Sequence, residues 1–390
     1  MTDQTRDRPA VGQICLEYLP RSQTFIYNNL VSFRRTRPVV VSYEPLVNRE
    51  YFPFRSDALH AVKGRRFSKR WIGDLVRRRL LHLPMQGIYM ERFSQVLQSN
   101  GCRLLHAHFG NTGTMIMPLR RSLGLPLVTN FYGADTATSS TDPTFPELRG
   151  RLFVEGDLFL VEGPHMRQRL IDLGCPREKI RIQRIALRIS DLPPAKNYRG
   201  PSSPQPRLLF AGRFIEKKGL IYALEACEIL VRRNLHFELL VIGDGPLNDS
   251  VRRFVRDRRL NGFVRFLGFL SYGDYLRELR EADAFVQPSV TAANGDTEGG
   301  APTTILEAQA LGVPVVATTH ADIPNVVAPG GSAFLVPERD SHALAAALER
   351  LITAPEVWPR MGEAGRAHVR EFHDVSGEID RLEDTYLSLM

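Results

Sequence analysis

The residues best placed to do chemistry lie in residues 295–310, GDTEGGAPTTILEAQA. Glu298 sits in a Gly-rich loop and Glu307 falls on the first turns of the helix expected next. Thr303 and Thr304 stand between them as candidate caps and N–H donors. A loop that bares a carboxylate and the amides of Gly299 and Gly300 suits a sugar hydroxyl and a phosphate together. The second carboxylate suits the vicinal hydroxyls of a ribose. A capped surface helix would show the same two glutamates, so the pair needs support from elsewhere in the chain.

That support comes upstream. The run LLFAG at 208–212 is followed by Arg213, Lys218 and a helical pattern. A strand that ends at Gly212 and opens a helix presents backbone N–H groups and the positive end of the helix dipole to an anion. Arg213 and Lys218 in that loop could reach one diphosphate, and two fixed cations neutralise the charge that builds on a departing nucleoside diphosphate. A second strand and loop, VIGDGPL at 241–247, carries Gly243 and Gly245 at another strand end, where ligands of open parallel sheets gather. No GxGxxG fingerprint is present, which counts against nicotinamide chemistry.

These loops must be held by sheets. Short apolar runs alternate with longer amphipathic stretches, the pattern of parallel strands joined by crossover helices. Strands are expected at 12–18, 39–43, 104–108, 127–131 and 158–162, and again at 208–211, 238–242, 264–267, 284–287 and 313–317. The stretch DLPPAKNYRGPSSPQPR at 191–207 carries five prolines and reads as a linker. The expected organisation is an α/β chain with an acceptor-side Rossmann-like domain over 1–195 and a donor-binding one over 196–374. A terminal helix over 375–390 could fold back onto the first.

Composition agrees with two cores. The chain has 390 residues, 43% hydrophobic and 24% charged, and single cores stop growing near about 250–300 residues. Neither a secretory signal nor a spanning apolar run of about 18 residues is readable. Cys15, Cys102, Cys175 and Cys227 lack metal-ligand spacing and read as buried, reduced thiols in a cytoplasmic protein. The net charge is +8, and residues 55–79 hold nine Lys or Arg against Asp57 and Asp74. On a helix, Lys63, Arg65, Arg66, Lys69, Arg70 and Arg77 to Arg79 would face away from Leu59, Val62, Phe67, Trp71, Ile72, Leu75 and Val76. That is the layout of a surface helix on an anionic membrane, and equally of a solvated helix packed on a core.

Taken in order, AGRFIEKKGL at 211–220, GDGPL at 243–247, FLGFL at 266–270 and GDTEGGAPTTILEAQA resemble the family-4 retaining glycosyltransferases of the GT-B fold. The resemblance spans nearly the whole chain. It implies two Rossmann-like domains facing across a cleft, with Arg213 and Lys218 on the donor diphosphate, Glu307 on the ribose and Glu298 near the reacting sugar. One more residue separates Glu298 from Glu307 than is usual in the family, so either Glu298 or the amides of Gly299 and Gly300 meet the sugar. LPRSQTFIYNNL at 19–30, HAHFG at 106–110 and NFYGAD at 130–135 are similar to the branch that builds capsular and exopolysaccharide glycans.

In that branch Ser22, Gln23 and Thr24 would line the cleft. His106 and His108 share one side of their strand by alternation, and His108 is the better cleft candidate. Tyr132 stands where the family usually has His, while Asp135 keeps its acidic position. The resemblance implies a hexose moved from a nucleotide diphosphate donor, UDP being the commonest, to a glycan, lipid-linked or small-molecule acceptor. It implies neither a metal nor a nucleic-acid partner. Two rivals are an epimerase or hydrolase of the same fold, and a non-catalytic binder of anionic lipid or RNA through 55–79.

Overall fold

The computed structural model describes residues 7–20, 23–64, 69, 72, 73, 76, 85–136, 143–196, 205–328 and 330–390. Two parallel sheets organise them. The first holds β1 (Ala10–Cys15), β2 (Arg37–Ser42), β3 (Leu59–Ala61), β4 (Cys102–His108), β5 (Leu127–Asn130), β6 (Leu158–Val161) and β7 (Ile180–Ile182), in the order β3-β2-β1-β4-β5-β6-β7. The second holds β8 (Arg207–Ala211), β9 (Glu238–Ile242), β10 (Val264–Gly268), β11 (Ala284–Gln287), β12 (Val315–Thr318) and β13 (Ala333–Val336), in the order β10-β9-β8-β11-β12-β13. Strand order reverses between β1 and β4 and again between β8 and β11. Ligands of such sheets bind outside the strand carboxyl ends at these reversals.

The central strands are apolar on both faces because helices cover both sides. Val39, Val40 and Val41 of β2, Leu208 to Ala211 of β8 and Val315 to Ala317 of β12 are all buried. The edges are less regular. β3, β7 and β13 were not expected, since each is only three or four residues long and buries a single position. β1 begins two residues before the expected start and stops at Cys15.

The amphipathic helix expected over 55–79 is corrected in its first part. Ser56–Ala58 is a 3₁₀ turn, and Leu59, His60 and Ala61 pair with Val40, Val41 and Ser42 as edge strand β3. Leu59 and Val62, three apart, are buried by the sheet rather than by a helix face. Arg65, Arg66, Phe67, Arg70, Trp71, Leu75 and Arg77 to Arg79 lie outside the described residues, as do Ser22 and residues 197–204 of the proline-rich stretch. Lys69, Ile72 and Val76 are exposed.

The last helix, Val375–Leu389, returns to the first sheet. Ile379, Leu382 and Tyr386 are fully buried against Val11, Leu104, Val128, Leu158 and Leu160. Each such side chain contributes about 1.5–3 kcal/mol. Polar contacts fix its register: buried Glu383 accepts the N–H groups of Arg34, Arg35 and Thr36 at 3.1, 2.8 and 2.6 Å. All four cysteines are buried and unpaired; burial raises their thiols, to about 12 for Cys15, Cys102 and Cys175.

Candidate active site

At the carboxyl ends of β8 and β9 the two connecting loops pack backbone on backbone. Gly212 N–H donates to Ile242 O at 3.0 Å, and Phe214 N–H to Asp244 O at 2.9 Å. A Cβ on Gly243 would lie 2.0 Å from Gly212 O, and one on Gly245 2.7 Å from Phe214 O. These glycines therefore have a packing reason to be glycine. The turn Glu216–Lys218 closes at Gly219, whose φ of +65° and approach to Pro288 O leave no room for a Cβ. That turn carries Lys218 to the end of β11, while Arg213 stays exposed in the same loop.

Lys218 Nζ donates to Glu298 Oε2 at 2.8 Å. Ser289 Oγ donates to Glu298 Oε1 at 2.7 Å, and Gln287 Nε2 to the same oxygen at 3.3 Å. Burial raises the Glu298 carboxyl, but Lys218, Lys217 and the hydrogen bonds from Lys218 and Ser289 outweigh it and hold it below the usual range. Glu298 is thus an anion with its charge matched, and has no proton to give near neutrality. Its own N–H donates to His320 Nε2 at 3.0 Å, so His320 carries its proton on Nδ1 and donates it to Glu338 at 2.6 Å.

The helix Thr303–Ala310 follows the loop. Its N-cap is Pro302 with no side-chain cap, which corrects the capping expected of Thr303 and Thr304. The reason is positional: both threonines lie inside the first turn, and Thr304 Oγ1 donates to Gln287 Oε1 at 3.2 Å instead. One turn on, Glu307 is buried and accepts from Tyr272 and Tyr275 hydroxyls at 2.9 and 2.7 Å. Burial raises its carboxyl to about 7 even though both tyrosines lower it.

The first domain meets this loop directly. Gly133 backs on Gly299, where a Cβ on either would lie 2.7 Å from the other strand of backbone. Glu162, following β6, accepts the Ala301 N–H at 3.2 Å, and burial pushes its carboxyl well up. Asp322 of the second domain accepts the first N–H groups of the helix Pro164–Asp172, from His165 at 2.8 Å and Met166 at 3.0 Å. Asp135 spends both oxygens on backbone, taking Gly110 N–H at 2.7 Å and Tyr132 N–H at 3.0 Å, and burial raises it to about 6. His108 is buried rather than open to the cleft, with Nδ1 3.1 Å from the Tyr132 hydroxyl. Tyr132 itself is partly exposed and packs on Phe25 and Phe109.

The structure thus brings Lys218 onto Glu298, links Thr304 to Glu298 through Gln287, and sets Glu307 apart among tyrosines. Sequence reasoning missed Gln287, Ser289, His320, Tyr272, Tyr275, Glu162 and Asp322. Gln287 left a signal, being a polar residue ending an otherwise apolar central strand; Tyr272 and Tyr275 are three apart on one helix face. Among the described residues, no group of three or more His, Cys, Asp or Glu could hold a metal, and no helix is long and apolar enough to cross a membrane.

Residues 49–184 match the family model described as glycosyl transferase 4-like domain, and residues 195–368 the one described as glycosyl transferases group 1. The chain belongs to the family-4 glycosyltransferases. Relatives of this chain include the amylovoran biosynthesis glycosyltransferase of Erwinia amylovora, 38% identical over 63% of this chain and 60% of that one. Another is the putative colanic acid biosynthesis glycosyltransferase of Escherichia coli K12, 36% identical over 61% of this chain and 59% of that one. These matches, which support the exopolysaccharide-type branch, span about three fifths of the relatives' length. The fold is GT-B. Anabaena HepE, solved in complex with UDP and glucose, superposes with a TM-score of 0.78 over 98% of this chain and all of that one at 16% identity. Sucrose-phosphate synthase of Thermosynechococcus elongatus gives 0.76 over 98% and 99% at 17% identity.

Proposed function

We propose that this glycosyltransferase moves a hexose, with retention of anomeric configuration, from a nucleotide diphosphate donor to an acceptor in cell-surface polysaccharide synthesis. UDP is the favoured nucleotide and a glycan or lipid-linked acceptor the favoured partner. One observation carries the reading: the largely covered Lys218–Glu298 pair joins the loops that follow β8 and β11, with exposed Arg213 in the first of those loops and buried Glu307 on the helix that follows the second. Arg213 and Lys218 take the donor diphosphate, Glu307 the ribose, and Glu298 or the Gly299 and Gly300 amides the sugar. The departing phosphate oxygen accepts the acceptor's proton as the new bond forms, so no protein base is needed. The protein orients the reactants and matches the charge that develops.

Because protein cations meet the diphosphate, the reaction is proposed to run without a metal. A thermal-shift panel of nucleotide sugars in EDTA tests this. A UDP-sugar at about 100 times its dissociation constant should add about 2.7 kcal/mol of stability, and turnover should require acceptor. No stabilisation by any nucleotide sugar would overturn the reading; restoration only by Mg²⁺ or Mn²⁺ would overturn its metal-free part. Turnover without acceptor would make the chain a hydrolase.

The enzyme is further proposed to work at the cytoplasmic membrane face through residues 55–79, where exposed Ile72 and Val76 accompany the basic run. Each Lys or Arg near an anionic surface contributes about 1 kcal/mol, fading as salt shortens the screening length. The chain should sediment with anionic but not neutral vesicles, less so at high salt and less when Arg65, Arg66, Lys69 and Arg70 become Gln. Equal recovery with both lipids would leave the segment solvated.

A further inference from the structure

Six side chains of the first sheet, the loop after β5 and the last helix form a single hydrogen-bonded chain whose direction can be worked out from one end. Asn130 Oδ1 can only accept, so His106 Nε2, 2.6 Å away, carries a proton and donates it. His106 Nδ1 must then accept, and it takes the Tyr386 hydroxyl proton at 2.5 Å. The Tyr386 oxygen is left to accept from Gln13 Nε2 at 3.1 Å. Gln13 Oε1 accepts in turn from His108 Nε2 at 3.0 Å. His108 Nδ1 is therefore also an acceptor, and its partner at 3.1 Å is the Tyr132 hydroxyl. Gln13, Asn130, His106, His108 and Tyr386 are all buried, with exposures of 1, 4, 2, 3 and 0%. Tyr132, whose backbone carbonyl lies against Gly299 of the other domain, is the one partly exposed member.

We infer that Tyr386 and Gln13 are positioning residues for the cleft: through His106 and His108 they commit the Tyr132 proton inward and leave the Tyr132 oxygen as an acceptor for a sugar hydroxyl. Burial pushes both imidazoles down, His106 to about 4, so neither ring gains the second proton that would break the order. The consequence for specificity follows from hydrogen-bond sign. A group facing Tyr132 must donate, which a sugar hydroxyl does and a phosphate oxygen or carboxylate does not. The last helix is thereby part of the site, although Tyr386 lies 254 positions from Tyr132 in the chain.

The inference rests on the transferase reading for its kinetic test and is independent of it for its spectroscopic one. In ¹⁵N-imidazole spectra of the wild-type chain, His106 and His108 should both be neutral Nε2–H tautomers at neutral pH. An Nδ1–H tautomer at His108 overturns the proton order, with no substrate involved. For kinetics, Tyr386→Phe keeps the buried ring and removes only the hydroxyl. It should lower kcat/KM with nucleotide sugar about tenfold, the ratio set by one hydrogen bond of ordinary strength. In a Tyr132→Phe background the same change should have no further effect, because the group it positions is gone. Equal losses in both backgrounds would make Tyr386 merely structural and overturn the inference. Gln13→Met, which cuts the chain at another link, should show the same non-additivity if Tyr386→Phe folds poorly. A wild-type chain that turns over no nucleotide sugar defeats the transferase reading and leaves the tautomer result standing.

Discussion

Lys218→Met is expected to lower transfer at least about a hundredfold and to destabilise the fold by about 3 kcal/mol, while adding Glu298→Gln is expected to restore stability but no activity. Both side chains of the pair are largely covered, with exposures of 17% for Lys218 and 5% for Glu298, and their contact is 2.8 Å. Removing the ammonium alone strands a carboxylate that Ser289 and Gln287 can only partly satisfy. An unpaired buried charge is far more harmful than the intact pair is helpful. Neutralising Glu298 removes that penalty and leaves the diphosphate still short of one cation. Arg213→Ala supplies the contrast: exposed and outside any ion pair among the described residues, Arg213 should lose activity without losing stability. Chemical denaturation and initial rates on the four chains decide it. Near-normal turnover in Lys218→Met would remove Lys218 from the diphosphate site, and an unchanged midpoint would mean that the buried pair adds nothing to the fold.

The sequence made the interior of both sheets legible because central parallel strands must be apolar on both faces, as β2, β8 and β12 are. It also marked the loops, since Gly219, Gly243 and Gly245 stand where backbone meets backbone and no Cβ fits. Short edge strands escaped because one buried residue in three or four sets no period. Leu59 and Val62 misled for a related reason: two apolar residues three apart satisfy a helix and also the end of an edge strand. The partners of Glu298 and Glu307 were invisible for a different cause. Ser289, His320, Tyr272 and Tyr275 reach the site only because β11, β12 and the helix Tyr272–Glu281 converge on it. Sequence spacing carries no information about such convergence. Tyr386 is the extreme case, placed beside His106 by a helix that crosses back from the second domain.

Glu307 gives the second large effect, one that pH reveals. Its carboxyl titrates near 7 in the folded chain because it is buried, against about 4.3 in an unfolded one. The folded state therefore binds this proton more tightly. The stability it contributes is fully present below about pH 4.3 and is lost as pH rises through 7, in all about 4 kcal/mol. Glu307→Gln removes the titration, so the difference in unfolding free energy between wild type and variant should move against the wild type by about that amount from pH 4 to 8. Donor binding should run the other way. If ribose hydroxyls donate to Glu307, they need the carboxylate, and affinity for a nucleotide sugar should fall by up to about tenfold per pH unit below 7. A nucleotide diphosphate sugar is the right probe because its diphosphate does not itself titrate in this range. Tyr272→Phe sharpens the test, since that hydroxyl lowers the Glu307 carboxyl. Its removal should carry the midpoint of the binding profile upward, and in Glu307→Gln the profile should be flat and weak. A wild-type affinity constant between about pH 5 and 8, shared by the Gln variant, would leave Glu307 a buried partner of two tyrosines and send the search for the ribose contact elsewhere.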